Sequence, residues 1–194
     1  KADFVSMLLT NIEKKHVGLE WGLEVGLSNT FQLNTVVALG SFTYANAPNM
    51  YVESDQFQGA NRFIGKSFLK GYKLGGTPEK AYSIGIQYND PKYWWVGLNA
   101  NYLTDNFIQI SPLLRTKNFY LDSYGIPFNS EVTGEQISNK EIGSLLRQEK
   151  LSPPFLVNLV GGKSWKWNAA YLSLFLSANN LFGTVYKTGG FEQS

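Results

Sequence analysis

The sequence predicts an all-β protein built from long antiparallel strands. Of its 194 residues 15% are aromatic, only 16% are charged and 19 are glycine, and apolar and polar residues alternate over long stretches. Alternation with a period of two places successive side chains on opposite faces of a strand. Soluble domains carry roughly a quarter charged residues, so the charge content is low for a protein that meets water on every side.

The clearest alternation covers residues 16–27, where apolar side chains are interleaved with polar residues and glycine. The apolar face carries Val17, Leu19, Trp21, Leu23, Val25 and Leu27. The opposite face carries His16, Gly18, Glu20, Gly22, Glu24 and Gly26. A tight turn at 28–30 leads into a second strand over 31–45, because Ser and Asn tolerate the backbone angles of turns.

The same pattern recurs four more times, which brings the expected number of long strands to six. The further strands cover 81–89, 93–103, 155–162 and 169–182. Ile108 and Ile110 are expected to continue the apolar face of the strand at 93–103 to about Ser111. Short turns join these strands in pairs, one at 89–92, which contains strong breaker residues, and one at 164–168.

The remaining connections are long, and a helical pattern occurs in one of them and before the first strand. Thr133-Gly134-Glu135-Gln136 fits a capping box, with Ile137, Ile142, Leu145 and Leu146 following at helical spacing. The prolines at 153 and 154 would end that segment, because proline cannot continue a helix. A second short helix is expected at residues 4–14.

Strand length and the chemistry of the two faces favour a transmembrane β-barrel. The strands exceed the usual 5–6 residues of globular sheets and match the roughly 9–11 that cross a tilted bilayer. One face is nearly free of charge, as expected where Lys or Arg would cost about 2–4 kcal/mol at mid-membrane. No apolar run exceeds four residues, which excludes a helical span only.

In such a barrel the short turns would face the periplasm and the long loops the exterior. Aromatic residues beside the short turns would form an interfacial belt, namely Tyr93, Trp94, Trp95, Trp165 and Trp167. Six strands cannot close, because the smallest bacterial barrels have about eight, so the sequence predicts an incomplete segment of a larger barrel. A secreted β-sandwich that acts as a binding or adhesin module is the alternative.

Composition and motifs argue against several other functions. A net charge of +2 does not suit a nucleic-acid binder, and the absence of cysteine excludes disulfides and thiolate sites. Gly161-Gly162-Lys163-Ser164 fits a phosphate loop only in part, because Val157 stands where that pattern needs glycine and a strand follows.

The titratable residues of the first strand form no recognisable catalytic set. Glu20 and Glu24 would lie about 13 Å apart at roughly 3.4 Å per residue, too far for a carboxylate pair, and are interpreted as polar-face carboxylates. His16, the only histidine, lacks a triad or a second imidazole and is expected near the loop end of its strand. We therefore expect no enzyme, no cofactor and no metal site.

Aromatic residues in the expected loops offer two interpretations, ligand contact or packing within the loops. The residues are Phe42, Tyr44, Tyr51, Phe57, Phe63, Phe107, Phe119, Tyr120 and Tyr124. Substrate-binding residues cannot be chosen among them from the sequence.

Several stretches together resemble one family. Residues 75–83 (GGTPEKAYS), 90–95 (DPKYWW) and 110–116 (ISPLLRT) are similar to the C-terminal β-barrel of TonB-dependent receptors. The branch concerned carries a carboxypeptidase-regulatory-like N-terminal domain. Residues 179–182 (NNLF) and 186–192 (YKTGGFE) resemble the penultimate strand and the loop after it, and Gly18-Leu19-Glu20 resembles the Gly-x-Glu that opens a strand in these barrels.

The resemblance implies an active transporter of the Gram-negative outer membrane with a plugged, 22-stranded barrel. It would take up a glycan, a peptide or a siderophore, with energy from the TonB complex acting on the plug. Residues 1–194 would be part of the barrel, and the plug domain and the last strand would lie outside the sequence. Its expected partners are TonB, outer-membrane lipid and the nutrient; a surface lipoprotein lid is left open, and no nucleic acid is expected.

Overall fold

The computed structural model describes residues 5–54, 62–130 and 133–192, which are mostly β-strand. The elements are β1 (Val5–Thr10), β2 (Lys14–Gly26), β3 (Phe31–Tyr44), β4 (Asn49–Ser54), β5 (Arg62–Lys66), β6 (Lys80–Asp90), β7 (Trp94–Thr104), α1 (Asn139–Leu145), β8 (Phe155–Trp167) and β9 (Ala170–Ala178). None of the helices within these ranges has the length and apolar character needed to cross a membrane.

Six of the strands form one antiparallel sheet in the order β2-β3-β6-β7-β8-β9. This confirms the predicted all-β class and the six long strands, which run from 9 to 14 residues. Strand order follows chain order without a crossover, because every strand pairs with the previous strand of the same sheet. The outer edges of β2 and β9 have no neighbouring strand in the described part of the chain.

The alternation has the same phase in all six strands, so the sheet has one apolar and one polar face. Leu33, Ile86, Leu98 and Leu159 lie in register across four strands. One position along, the register contains Asn34, Gly85, Asn99 and Asn158. Because side chains alternate along each strand, the first row belongs to the apolar face and the second to the polar face.

Short turns connect the hairpins at one end of this sheet. The Ser28 hydroxyl accepts hydrogen bonds from the backbone N–H groups of Thr30 (3.2 Å) and Phe31 (3.0 Å). An Asp90 carboxylate oxygen accepts from the Lys92 N–H at 2.8 Å, and Tyr93 follows with a φ of 64°. These bonds hold the two turns in the conformations that bring antiparallel strands together.

The third hairpin is tighter than predicted, and the expected turn over 164–168 is wrong. β8 continues to Trp167, and the chain reverses at Asn168, whose φ is 55°. The hydroxyls of Ser164 and Ser173 are 2.9 Å apart across the two strands. Trp165 and Trp167 extend the apolar alternation, which is why the strand does not stop at the predicted breaker residues.

A second, three-stranded sheet has the order β1-β4-β5 and was not predicted. The helix expected at residues 4–14 is wrong, since β1 pairs antiparallel with β4, with Leu8 opposite Tyr51. β4 lies about forty residues further along the chain, so local spacing did not indicate the pairing. Residue 4, the first of the predicted helix, lies outside the described residues.

The helix predicted from Thr133 begins six residues later. Gly134 has a φ of 72°, which no helical residue adopts. The helix starts at Asn139, where the Ser138 hydroxyl accepts from the Glu141 N–H at 3.2 Å, so Ser138 and Glu141 are the true capping positions. It ends at Leu145, before the prolines at 153 and 154 can act on it.

Two strands end earlier in the chain than predicted. β7 ends at Thr104, because Asp105 takes a φ of 56° and turns the chain; Ile108 and Ile110 therefore do not extend it. β9 ends at Ala178, and Asn180 (φ 53°) closes a loop by donating to the Thr184 carbonyl at 3.0 Å and accepting from its N–H at 2.9 Å.

The buried residues lie mainly in the long loops. Segments 67–79, 105–116, 146–151 and 190–192 pack together at the end of the sheet opposite the short turns, and we call them the loop cluster. Its buried apolar residues are Leu69, Ile110 and Leu151. Within the six-stranded sheet, Val157 is the one buried large apolar residue that the described ranges contain.

Candidate functional site

The apolar face of the six-stranded sheet is exposed. Leu19 and Leu176 keep 67% of their surface accessible and Ile84 keeps 53%. In residues 5–54, 62–130 and 133–192, no strand of one sheet packs extensively against a strand of the other. A contiguous apolar surface of this size marks a region that contacts another protein or a membrane.

Two rows of aromatic rings border this face. Near the short turns, the Tyr88 ring lies 4.9 Å from both Phe31 and Trp94. Near the long loops, Tyr82 and Tyr102 are 6.2 Å apart, and Phe155 is in register with Tyr102. Tyr82 and Tyr88 are six positions apart on one strand, so the rows are separated by about 20 Å at 3.4 Å per residue.

Between the rows, this face of β3, β6, β7 and β8 is uncharged and, apart from Thr35, aliphatic. Its side chains are Leu33, Thr35, Val37, Ile84, Ile86, Val96, Leu98, Ala100, Val157 and Leu159. On β6, charged residues lie outside the two rows, with Lys80 before Tyr82 and Asp90 after Tyr88. The Tyr88 hydroxyl donates a hydrogen bond of 2.9 Å to the Asp90 carboxylate.

The five aromatic residues predicted beside the short turns do lie there, on different faces. Trp165 and Trp167 lie on the same face as Trp94. Trp94 is opposite Lys163, and Trp165 and Trp167 follow Lys163 at intervals of two positions on β8. Trp95 lies on the polar face, with its ring 6.0 Å from Phe175. Tyr93 is in the turn itself.

Amides and hydroxyls cover the polar face and bond to one another. The Asn99 side chain donates to the Ser83 hydroxyl at 2.9 Å and accepts from Asn101. Glu24 accepts from the Gln32 side chain. Such a surface offers both donors and acceptors to a hydrated ligand or to a polar protein surface.

The residues singled out in the first strand and in β8 are not brought together into a catalytic or phosphate site. Glu20 and Glu24 lie on the polar face as predicted, and His16 lies near the loop end of β2, 5.2 Å from the Phe42 ring. Gly161–Ser164 is part of β8, so its residues alternate between the two faces and cannot surround one phosphate.

An ion pair is buried at the centre of the loop cluster. Arg115 is 2% exposed, and both of its terminal nitrogens donate to the Glu192 carboxylate, one of them at 2.7 Å. The same guanidinium donates to the Leu146 carbonyl at 3.0 Å and lies 4.8 Å from the centre of the Tyr72 ring. One side chain thereby joins the two long loops to the segment after β9.

Gln148 makes a second connection between the loops. Its side-chain oxygen accepts from the Lys73 N–H at 2.9 Å, and its nitrogen donates to the carbonyls of Lys73 (2.9 Å) and Ile108 (2.7 Å). Lys73 also pairs with Glu79 at 2.8 Å, and Glu79 accepts from the Phe42 N–H at 2.5 Å. The loop cluster is therefore fixed to β3.

Asp105 connects the loop cluster to the sheet on the other side. It accepts from Lys150 and from Lys80, the latter at 2.6 Å. The hydrogen bond from Lys150, followed by the one from Lys80, holds the pKa of the Asp105 carboxyl below its ordinary value.

The predicted loop aromatics are divided between strands and loops. Four of them are strand residues and correct the prediction: Phe42 and Tyr44 in β3, Tyr51 in β4 and Phe63 in β5. Phe107, Phe119, Tyr120 and Tyr124 do lie in a loop, and Phe57 lies outside the described residues. Tyr51 and Phe63 form a ring pair at 5.2 Å, which indicates packing between β4 and β5.

Sequence reasoning missed the Arg115–Glu192 pair, whose members are 77 positions apart. The one available signal was that both residues lie in stretches from which the sequence predicts a receptor-like barrel, 110–116 and 186–192. Among the described His, Asp and Glu residues, no three come together in a way that could hold a metal ion. Comparison of the chain with family models, with curated proteins and with solved structures finds no match.

Proposed function

We propose that this chain is a segment of an outer-membrane β-barrel and belongs to a TonB-dependent receptor for a glycan, a peptide or a metal chelate. The main observation in support of a membrane barrel is the exposed, uncharged apolar face bounded by two aromatic rows. Aliphatic side chains are stable against hydrocarbon and unfavourable in water, at about 25 cal/mol per Å² of apolar surface.

The dimensions of the apolar face support a bilayer as its surroundings. The aromatic rows are about 20 Å apart along the strands, and barrels present an apolar band about 25 Å high between aromatic girdles. Tyr and Trp suit both borders because each ring is apolar and its O–H or N–H is polar. A soluble β-sandwich would cover this face with a second sheet, and no strand in the described part of the chain does so.

The positions of the family-like stretches support the receptor assignment. Glu79, Arg115 and Glu192 come from three separate stretches and are all ion-paired within the loop cluster. These stretches therefore fold as one unit on the side that would face the exterior, where a receptor captures its ligand. The polar face, with its amides and two glutamates, would line the barrel interior.

Cysteine labelling tests the membrane part of this proposal, because the chain has no cysteine of its own. Leu98→Cys and Asn99→Cys are adjacent on β7 and point to opposite faces. The full gene product carrying either substitution is reconstituted in phosphatidylcholine vesicles. A fluorophore at position 98 should then be quenched by a lipid-soluble quencher. The fluorophore at 99 should respond to a water-soluble quencher. Equal responses at the two positions would contradict the proposal.

A separate measurement tests the receptor assignment. The same purified protein should bind the isolated C-terminal domain of TonB, since energy coupling requires that contact. Lipid quenching at 98 without any TonB binding would leave a membrane barrel and exclude the receptor.

A further inference from the structure

A groove of about 390 Å³ crosses the apolar face between β7, β8 and β9. The lining residues that belong to the apolar face include Val96, Leu159, Gly161, Leu174, Leu176 and Ala178. Gly161 forms the floor, because it lies in register between Val96 and Leu176 and carries no side chain. The groove has the size of a small-molecule pocket and opens where the proposed function places lipid chains.

A lysine forms the polar end of this groove. Lys163 lines it on the apolar face, two positions from Gly161, and its ammonium donates to the Lys92 carbonyl in the β6–β7 turn at 2.5 Å. An ammonium has three donors, so two are left for another acceptor. The aliphatic part of Lys163 thus follows the apolar surface while its charge lies at the turn.

The charges around the Lys163 ammonium leave this end positive. Lys92 is the neighbouring cation, and Asp90 is the carboxylate beside it, already accepting from the Lys92 N–H and the Tyr88 hydroxyl. Two lysines against one aspartate give one net positive charge. Trp94 is directly opposite Lys163 in register, a ring position typical of the membrane interface.

We propose that this groove binds an anionic phospholipid, with one acyl chain over Gly161 and the phosphate at Lys163. The inference rests on the proposed function, since it needs the apolar face to meet lipid. A lysine on the lipid side costs about 2–4 kcal/mol at mid-membrane and almost nothing near the interface, which fits a position close to the turn. An apolar groove that ends in a cation is complementary to an acyl chain that ends in a phosphate.

In the experiment, the full gene product is reconstituted in phosphatidylcholine vesicles that contain a minor fraction of phosphatidylglycerol. The amounts of the two lipids that bind to the protein are then compared. Native mass spectrometry then counts the lipids that stay bound after gentle detergent extraction. We expect at least one retained phosphatidylglycerol. Lys163→Gln should lower its enrichment over phosphatidylcholine about five-fold, the equivalent of about 1 kcal/mol per lysine near an anionic headgroup.

Two more variants make the result specific. Lys166→Gln, on the same strand and the opposite face, should leave the enrichment unchanged. Gly161→Leu should release the retained lipid of either headgroup, because its side chain fills the groove. If Lys163→Gln and Lys166→Gln have equal effects, or the enrichment is absent, the groove proposal fails.

Quenching of the fluorophore at position 98 distinguishes this failure from that of the proposed function. Lipid quenching without phosphatidylglycerol enrichment overturns the groove alone. Loss of lipid quenching itself overturns both proposals.

Discussion

The six-stranded sheet and the loop cluster distribute polarity in opposite ways. The sheet exposes leucine, isoleucine and valine on one face, whereas the loop cluster buries Arg115 and Glu79 and pairs them with partners inside the cluster. The loop cluster follows the rule for folding in water, where buried polar groups are paired. The sheet follows the rule for hydrocarbon, where apolar side chains can face outward.

Under the proposed function, this difference would adapt one chain to two solvents over a short distance. Lys80 and Asp90 lie at the two ends of β6, and the strand between them has an uncharged outer face. The loop cluster begins just beyond the Lys80 end. The boundary between the two environments therefore lies at the aromatic row formed by Tyr82 and Tyr102.

The largest expected effect comes from breaking the buried ion pair. Arg115→Met leaves the Glu192 carboxylate, which is 15% exposed, without its cation, and removing one partner of a buried pair costs about 3–5 kcal/mol. Hydrogen exchange of the Gln109 and Glu192 amides should accelerate, while amides at the middle of β6 and β7 keep their protection.

A matched arginine controls that measurement. Arg147 is exposed at the edge of the same loops, and Arg147→Met should change amide protection little. If Arg115→Met destabilised the middle of the sheet as much as the loops, the two regions would be one cooperative unit and the comparison would fail.

Charging the apolar face should give the next largest effect. Ile84→Arg puts a cation between the two aromatic rows and should destabilise the bilayer-inserted protein by about 2–4 kcal/mol. In water the same exposed position would tolerate arginine within about 0.5 kcal/mol. Urea unfolding of vesicle-reconstituted protein measures the change.

Gln87→Arg, on the polar face of the same strand, is the control for Ile84→Arg. It should cost clearly less, because that face meets polar groups. Equal costs at the two positions would mean that the sheet has no lipid side.

A smaller effect is expected from the amide that joins the loops. Gln148→Leu leaves the Lys73 N–H and two carbonyls without partners, and an unpaired buried polar group costs about 1–3 kcal/mol. Limited proteolysis within 105–151 should become faster. Gln136→Leu, at an exposed position, should leave the cleavage rate unchanged.

The smallest effect concerns pH, at the contact between the two regions. The pKa of Asp105 is lower in the folded protein than in the unfolded chain, because Lys150 and Lys80 bond to its carboxylate. Its stabilisation is complete above the ordinary aspartate pKa of about 3.9 and is lost as the pH falls through the folded pKa.

Asp105→Asn should therefore reduce the acid-dependent loss of loop protection, measured by hydrogen exchange from neutral pH to below pH 4. Asparagine also tolerates the left-handed backbone at this position, so the variant tests charge rather than strain. An identical pH profile in wild type and variant would contradict a role for Asp105.

Local alternation predicted the six-stranded sheet well, because the period of two can be recognised within the sequence of each strand alone. Residues 16–27 and 81–89 needed no distant partner to be recognised as strands. β1 needed a distant partner: its six residues do not alternate, and only the antiparallel pairing with β4, with Leu8 opposite Tyr51, makes them a strand. The candidate helix start failed for a local reason, the left-handed φ of Gly134, which a capping pattern does not reveal.

The loop cluster could not be predicted in the same way. Arg115 and Glu192 meet across 77 positions, and Gln148 meets Lys73 across 75. No periodic pattern in the sequence specifies such contacts, because the paths of the loops bring these residues together. The groove at Gly161 was missed because its glycine is meaningful only beside Val96 and Leu176 in the neighbouring strands.

The unbroken strand order has a consequence for how such a sheet can change during evolution. Since each strand pairs with its predecessor in the same sheet, a hairpin is a unit that can be duplicated or lost. Either event leaves the direction of every later strand unchanged, so each later loop still emerges on its original side. Loss of β8 or β9 alone would reverse the direction of the chain between Arg115 and Glu192, and these two residues could no longer meet.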